Sequence, residues 1–436
     1  MTPLPTIAIL GASGLIGEAL ARHLQAEGYP VLALARRFTP AQRRALRRPI
    51  ETPLVEASAA DLSRLLDAEG AEIVVNCIGV LQDSGKGRAR AVHRDFAARL
   101  VEATRTRLLV QISIPGREAE DRTGFSLTKR EAEHLIAQQA VSFAILRPGF
   151  VWAPAAYGGS ALIRALAMLP FALPAREAAS PFAATDVRDI ARTVAFLAHR
   201  WAEGERDWCV TWDVMERRPG TVETVVEAVR LHLGGPPARL RLPGFLMMAG
   251  ARLGDLAARL GWSPPIRTTA LMEMQRGVSG DPGAWMEATG LQPASLLDAL
   301  SGTPATVQER WFARLYLLKA LVFTMLVLFW LVSGLVALTI SFEAATAILI
   351  GLGLPVGLAK GATVLTSLLD IQIGTMIATR RTARLGLWAA IALSLAYVLG
   401  AILFDPDLWL DPLGSMVKTL PAIVLALVAL ALLDER

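Results

Sequence analysis

Cysteine is nearly missing: Cys77 and Cys209 are the two in a chain of 436 residues. That excludes a disulfide scaffold and a cysteine-built zinc cluster, and it makes the reducing cytosolic side the default for any soluble part. Histidine is scarce as well. His23, His93, His134, His199 and His232 are scattered without a pair at ligand spacing, so no metal is expected. Charged residues amount to only 19% and mean hydropathy is +0.43, which excludes a disordered chain and a wholly soluble globule. The net charge of +5 comes without a helix-turn-helix, zinc-finger or aromatic RNA-binding pattern, so nucleic acid is not an expected partner. An export signal is not read at the start either, because Ile7 to Leu10 form an aliphatic run leading straight into glycines.

What is present divides in two. The first roughly 310 residues carry soluble patterning, and long uncharged runs begin after Lys319. Residues 6 to 20, TIAILGASGLIGEAL, read as a strand, a turn with Gly11, Gly14 and Gly17, and a helix starting near Leu15. Glycines there let backbone approach a pyrophosphate, and the helix start offers unpaired N–H groups. Gly11, Ser13, Gly14, Leu15, Ile16 and Gly17 are therefore the expected dinucleotide cradle. The second strand, VLALARR at 31 to 37, ends in Arg36 and Arg37. Arginine at this place accommodates a 2′-phosphate, whereas an acid would hold the ribose hydroxyl, so the expected cofactor is NADP(H). The alternative is a solvated basic face shared with Arg43, Arg44, Arg47 and Arg48.

With its G-x-x-G-x-x-G turn, the chain resembles the extended and atypical members of the short-chain dehydrogenase/reductase superfamily over about the first 230 residues. The resemblance implies an α/β Rossmann fold, a doubly wound parallel sheet with a small C-terminal lobe. It implies a third strand around 53 to 56 with Asp61 near the adenine. A fourth strand at 73 to 80 would lay Cys77, Ile78 and Gly79 against the cofactor. A fifth at 108 to 114 would end with Ser113 in a catalytic or positioning place, and a sixth at 144 to 154 would turn Arg147, Pro148 and Gly149 beside the nicotinamide. In this superfamily a Tyr-x-x-x-Lys pair on one helix face does the acid/base work. Here GFSLTKREAEHL has Lys129 in the lysine position and Phe125 in the tyrosine position. Of the four tyrosines, Tyr29, Tyr157, Tyr316 and Tyr397, Tyr157 alone follows the sixth strand closely enough to reach the pocket from a loop. Two functions stay open: an oxidoreductase acting on a quinone or lipid-derived carbonyl, and a nucleotide-holding accessory subunit of a membrane redox complex.

Asp186 precedes an apolar-periodic run and reads as a helix cap. His93 reads as a helix surface or core histidine. The domains are expected at 1–220, 221–310 for the lobe and 311–436 for the membrane. The apolar stretch from Pro243 to Leu260 reads as a core helix of the lobe, with a substrate pocket or the bilayer surface as alternatives.

Four membrane spans are expected near 320–341, 356–379, 385–404 and 417–433, with Lys418 snorkelling at the last. Residues 344 to 354, ending at Pro355, read as a re-entrant or interfacial helix, because two full spans would leave almost nothing at Lys360 to reverse direction. A single span here returns Arg380, Arg381 and Arg384 to the cytosolic side, with both termini also inside, in a bacterial inner membrane. Residues 311 to 436 resemble the DoxX-like membrane family, in the glycine-containing WLVSGLVAL span and in Asp370 of SLLDIQIG. An intramembrane carboxylate marks either a functional site or an interhelical hydrogen bond that fixes packing.

Overall fold

The computed structural model describes residues 3–81, 87–410, 414 and 416–433. The chain ends, expected on the cytosolic side, lie outside these. Two compact units form, one from Met1–Asp255 with Pro265–Ala313, the other from Leu256–Pro264 with Arg314–Arg436.

The first unit is built on a seven-stranded sheet. Its strands are β1 (Thr6–Leu10), β2 (Val31–Ala35), β3 (Pro49–Glu51), β4 (Ala71–Asn76), β5 (Leu108–Ile112), β6 (Ser142–Pro148) and β7 (Cys209–Val214), in the order β7-β6-β5-β4-β1-β2-β3. Every neighbouring pair is parallel. The inner strands are aliphatic without alternation because both faces are covered. Ile7, Ile9, Ala33, Val75 and Val110 point to one side, against Leu20 and Leu24 of α1 (Leu15–Ala26) and, from a later helix, Ile190 and Val194. Ala8, Leu34, Val74 and Leu109 point to the other, against Leu62 and Leu66 of α2 (Ala59–Ala68) and Ala132 and Ile136 of α3 (Gly124–Ala137). This is a doubly wound Rossmann-like sheet, and its order reverses between β1 and β4, where a ligand crevice opens at the strand ends.

Three expected boundaries shift. The third strand is Pro49–Glu51, and Leu54–Glu56 is a 3-10 turn, because Pro53 has no N–H with which to continue a ladder. The fourth strand stops at Asn76, whose side chain takes the Ile78 N–H at 3.1 Å and turns the chain. The sixth strand stops at Pro148. Gly149 then bends away, giving its N–H to Thr185 Oγ1 at 2.8 Å, and Phe150–Trp152 pairs with Ala184–Asp186 as a separate two-stranded piece. Asp186 caps α4 (Val187–Ala202) by accepting the Arg188 N–H at 2.8 Å. A second core gathers Trp152, Ile163, Met168 and Phe182 with Val225 and Val229 of α5 (Val222–Leu233) and with Leu296 and Leu300. Two further helices, α6 (Gly244–Arg259) and α7 (Thr268–Arg276), follow α5.

The second unit makes this a multi-pass membrane protein. Its helices are α8 (Val307–Leu338), α9 (Phe342–Gly351), α10 (Val356–Ala378), α11 (Ala383–Phe404) and α12 (Thr419–Leu433), and among the described residues α8, α10 and α11 are long and apolar enough to cross a bilayer. The ten-residue α9 rises about 15 Å at 1.5 Å per residue, half a hydrocarbon core, and stops before Pro355. Lipid offers no hydrophobic drive between helices, so close packing at small residues holds them together. A Cβ on Gly334 would fall 2.6 Å from Ser367 O, and one on Gly374 would fall 2.7 Å from Leu331 Cγ. Thr363, Ser367 and Asp370 form a buried polar stripe on α10, and Tyr397 of α11 donates its hydroxyl to Asp370 Oδ1 at 3.1 Å.

The turn after β1 gives a direct test. A Cβ on Gly17 would sit 2.3 Å from Gly11 O and 2.9 Å from Ala12 Cα, so backbone has to move. Gly17→Ala is expected to destabilise the soluble unit by about 1–3 kcal/mol and to weaken dinucleotide binding at least tenfold, read by thermal unfolding and by nucleotide titration.

Candidate functional site

The crevice begins at the glycine turn. Gly11 has φ +83°, which only glycine holds without strain, and Gly14 N–H bonds back to Gly11 O at 2.9 Å. Gly14 is also the N-cap of α1 and brings no side chain to its first N–H groups, which are left for a ligand anion. Ser13, Leu15 and Ile16 lie half-buried along this turn and helix start. Gln42 braces it from outside, with Nε2 on Ser13 O at 3.2 Å and on Glu18 Oε2 at 2.6 Å. A pyrophosphate fits this donor set.

Across the switch point, β4 ends in a loop fixed from three sides. Asn76 Nδ2 donates to Gln111 Oε1 at 2.8 Å, Cys77 N–H reaches Leu10 O at 2.9 Å, and Val80 N–H donates to His93 Nε2 at 3.0 Å. Because Nε2 accepts, the ring proton is on Nδ1, which lies 2.8 Å from Thr128 Oγ1 of α3; that hydroxyl in turn donates to Gly124 O at 2.6 Å. Burial, helped by the nearby Lys129 charge, pulls the His93 pKa down to about 3, so the ring is neutral. A π-turn over Ala91–Asp95 aims it. His93 is thus a brace between the β4 loop and α3, a place that helix periodicity in the sequence does not reveal.

Lys129 stands at the centre. Its Nζ donates to Ile112 O at 2.9 Å and lies 3.4 Å from where a Cβ on Gly79 would be, so the ammonium joins the ends of β4 and β5. Burial lowers its pKa to about 8, with Cys77 and Glu133 opposing. The Cys77 thiol, half-buried on this loop, is pushed up by burial to about 12 and stays protonated. Phe125 sits one turn before Lys129 and meets the His93 ring edge-on at 5.6 Å. Tyr157 heads the helix Gly158–Ala167, Tyr29 gives its hydroxyl to Ala195 O at 3.2 Å, and Tyr397 serves Asp370.

Below this lies a buried ion network that the sequence motifs do not announce. Glu133 receives Arg147 through two contacts, 2.9 Å and 2.6 Å, and Arg130 at 2.9 Å. Burial alone would raise the Glu133 pKa, but Arg147, then the Ser113 hydroxyl and Arg130, bring it below the usual value. Arg130 also holds Asp121 at 2.9 Å and the carbonyls of Pro115 and Gly116, while Arg276 of α7 reaches Asp121 at 2.6 Å and Pro115 O at 2.7 Å. The loop after β5 is clamped between α3 and α7. Ser113 begins that loop, and its buried hydroxyl faces the Glu133 carboxylate. Pro148 is buried at the end of β6, next to Arg147.

Three expected residues stand apart. Asp61 lies exposed in the first turn of α2, bonded to Ser58 at 2.7 Å and paired with Arg64, so its carboxylate serves that helix start. Arg36 and Arg37 are exposed past β2. Beside them stands Glu51, held below its usual pKa by the Phe38 N–H at 2.7 Å and by Arg43.

Comparison with known proteins follows this geometry. Residues 7–166 match the model of the NAD dependent epimerase/dehydratase family, and residues 327–427 match that of the DoxX-like family. The chain therefore carries a Rossmann-fold, NAD-binding domain of the epimerase/dehydratase kind fused to a DoxX-like membrane domain. It is 27% identical over 268 residues to a "Ceramide reductase" of Caulobacter vibrioides, covering 60% of this chain and 80% of that protein. Among solved structures, MoeE5 in complex with UDP-glucuronic acid and NAD has a TM-score of 0.51 at 19% identity, covering 68% of this chain and 97% of its own. A UDP-glucuronic acid 4-epimerase from Bacillus cereus, also with NAD, has a TM-score of 0.51 at 15% identity, covering 71% and 99%.

These structures correct the cofactor: the dinucleotide they contain is NAD, and the expectation of NADP(H) from Arg36 and Arg37 is withdrawn. A physical reason stands at Glu51, whose carboxylate pairs with Arg43 at 2.7 Å and also feels Arg37, so a negative charge accompanies the cations that a 2′-phosphate would need.

The buried Lys129 generates a pH prediction. Its folded pKa of about 8 is below the unfolded value, so burying the ammonium costs stability fully below pH 8, and the cost fades as pH rises from there toward 10.5. Ile112 O keeps a second donor in Gln111 Nε2 at 2.9 Å. Lys129→Met is therefore expected to stabilise the nucleotide-free soluble unit by about 1–3 kcal/mol at pH 7, with the gain vanishing near pH 10, in thermal unfolding across that range.

Proposed function

We propose that this protein is an NAD(H)-dependent oxidoreductase of short-chain dehydrogenase type that reduces a carbonyl on a lipid-derived substrate at the cytosolic face of a bacterial inner membrane. The observation that carries the reading is the buried Lys129 at the joined ends of β4 and β5, opposite the glycine turn, in a chain whose own membrane domain keeps it beside lipid. Similarity to a protein named for ceramide reduction supports a lipid substrate.

In this reading Gly11 to Gly17 bind the pyrophosphate, and Cys77, Ile78, Gly79 and Pro148 line the dinucleotide. Lys129 holds the nicotinamide ribose. NADH supplies the hydride when bound. The hydride adds to the carbonyl carbon, the C=O π pair moves onto oxygen, and the alcohol forms when that oxygen takes a proton. Phe125 cannot give it. The buried Ser113 hydroxyl, beside Glu133, would turn to donate a hydrogen bond to the oxygen, and the Lys129 ammonium, with a pKa of about 8, can yield its proton near neutral pH and regain one from water.

Phe125 itself favours a second reading, a nucleotide-holding accessory subunit of a membrane redox complex. The test uses the full chain in proteoliposomes with NADH and a long-chain lipid ketone, a short-chain quinone serving as alternative acceptor. Absorbance at 340 nm and mass spectrometry of the lipid report turnover. Phe125→Tyr restores a phenol one turn from Lys129, and it should raise turnover tenfold or more while NAD(H) affinity stays within a few-fold. Retained NAD(H) binding without turnover of ketone or quinone in either form would transfer the assignment to the accessory role.

The orientation has its own test. Single cysteines replacing Arg381 and Asp407 are expected to be labelled by an impermeant thiol reagent from the cytosolic and the far side respectively. Far-side labelling at 381 overturns the arrangement.

A further inference from the structure

Helix α6, Gly244–Arg259, and the turn after it carry an exposed apolar face that the site does not use. The sequence read Pro243 to Leu260 as a core helix first, yet its large apolar side chains face outward. Phe245 is 72% exposed, Leu253 66% and Leu256 53%, with Leu246 and Leu260 also exposed. At 100° per residue these five fall within one arc of about 100°. Arg252 and Arg259, both exposed, border that arc along one edge. The opposite face is narrow and buried: Ala251 is fully covered, and a Cβ on Gly254 would fall 1.9 Å from Ile266 O. A wide exposed apolar stripe with cationic side chains along its border is the pattern of a helix lying in a membrane interface.

The end of the helix states which surface covers it. Residues Leu256–Pro264 belong to the membrane unit. Leu260 O accepts the Arg380 N–H at 3.0 Å, Trp262 Nε1 donates to Ala378 O at 2.7 Å, and the Trp262 ring meets Phe323 at 4.6 Å. Ala378 is the last residue of α10, so α6 finishes against the end of a membrane-spanning helix, with a tryptophan at the level where such rings gather. In the other direction α6 is tied to the site. Asp255 holds Arg267 at 2.9 Å and Thr268 at 2.7 Å, at the start of α7, and Arg276 at the end of α7 grips Asp121 and Pro115 O.

We propose that α6 is a membrane-surface helix, its apolar stripe seated at the headgroup–acyl boundary of an anionic bilayer with Arg252 and Arg259 at the phosphates, and that it brings the mouth of the site to lipid. The second clause rests on the lipid-substrate reading above; the first does not.

Nitroxide labels at cysteines replacing Phe245, Leu253 and Leu256, one at a time in a Cys209→Ser background, test it in full-length protein reconstituted into phosphatidylcholine–phosphatidylglycerol vesicles. A label replacing Leu231, 75% exposed on α5, is the aqueous reference. Collisions with oxygen should exceed those at 231, and collisions with a water-soluble nickel chelate should be several-fold fewer. Nickel access equal to that at 231 overturns the proposal. So does low access to both reagents with dipolar broadening, which would mean that a second copy covers the stripe. Leu253→Asp with Leu256→Asp should raise KM for a bilayer-dissolved ketone at least fivefold while a water-soluble short-chain ketone keeps its KM. An equal rise for both, or none, overturns the delivery role. Because the label readout needs no turnover, absence of reductase activity and failure of the interfacial helix give different results.

Discussion

The Glu133 carboxylate, buried and gripped by Arg130 and Arg147, is the constraint on which the site depends. It fixes α3 to the end of β6, and through Arg130 it extends to Asp121, to the carbonyls after β5 and to Arg276. Lys129 is one residue from Arg130 on the same helix, so its reach to Ile112 O is set by this clamp. Removing one partner of such a buried set leaves a charge without compensation and costs about 3–5 kcal/mol, which explains why so polar a cluster persists beneath a small cleft.

Much of the fold was legible because its signals are local. TIAIL running into Gly11, Gly14 and Gly17 declares strand, turn and helix, and the uncharged stretches after Lys319 declare spans by length. Strand ends were read less well. Pro53 and Gly149 stop ladders by backbone chemistry that similarity to a family pattern passes over. The site was half-legible: the glycine turn follows from spacing and Lys129 from the family resemblance, whereas His93, Gln42 and the Glu133 network reach the crevice from residues far apart in sequence and leave no periodic mark. The cofactor expectation failed because Arg36 and Arg37 were read without Glu51, which lies opposite Ala35 on the next strand and comes under the influence of Arg37 only in the folded sheet.

Phe125 and His93 form one arrangement. An edge-on ring contact at 5.6 Å fills the volume beside Lys129 with carbon, and the histidine behind it spends both nitrogens on backbone and Thr128. The usual acid of such a cleft is thus absent along with the obvious substitute. In the proposed reaction, polar chemistry at the reacting oxygen falls to Ser113 and Lys129, which would favour substrates whose own position, fixed by an apolar chain, supplies most of the orientation.

The bond between Tyr397 and Asp370 bears on how the chain is made. Over its most apolar 18 residues helix α10 has a mean hydropathy of 1.3, well below the 2.6 of α8 and the 2.3 of α11 over theirs, and it carries the carboxylate. Alone in lipid, α10 would be a poor stop for a translocating ribosome product. Only Thr379 to Thr382 separate it from α11, whose phenol satisfies that carboxylate. Entry of the two as a single hairpin would bring the carboxylate into the bilayer already paired, with the later-synthesised and more apolar helix carrying the earlier one in.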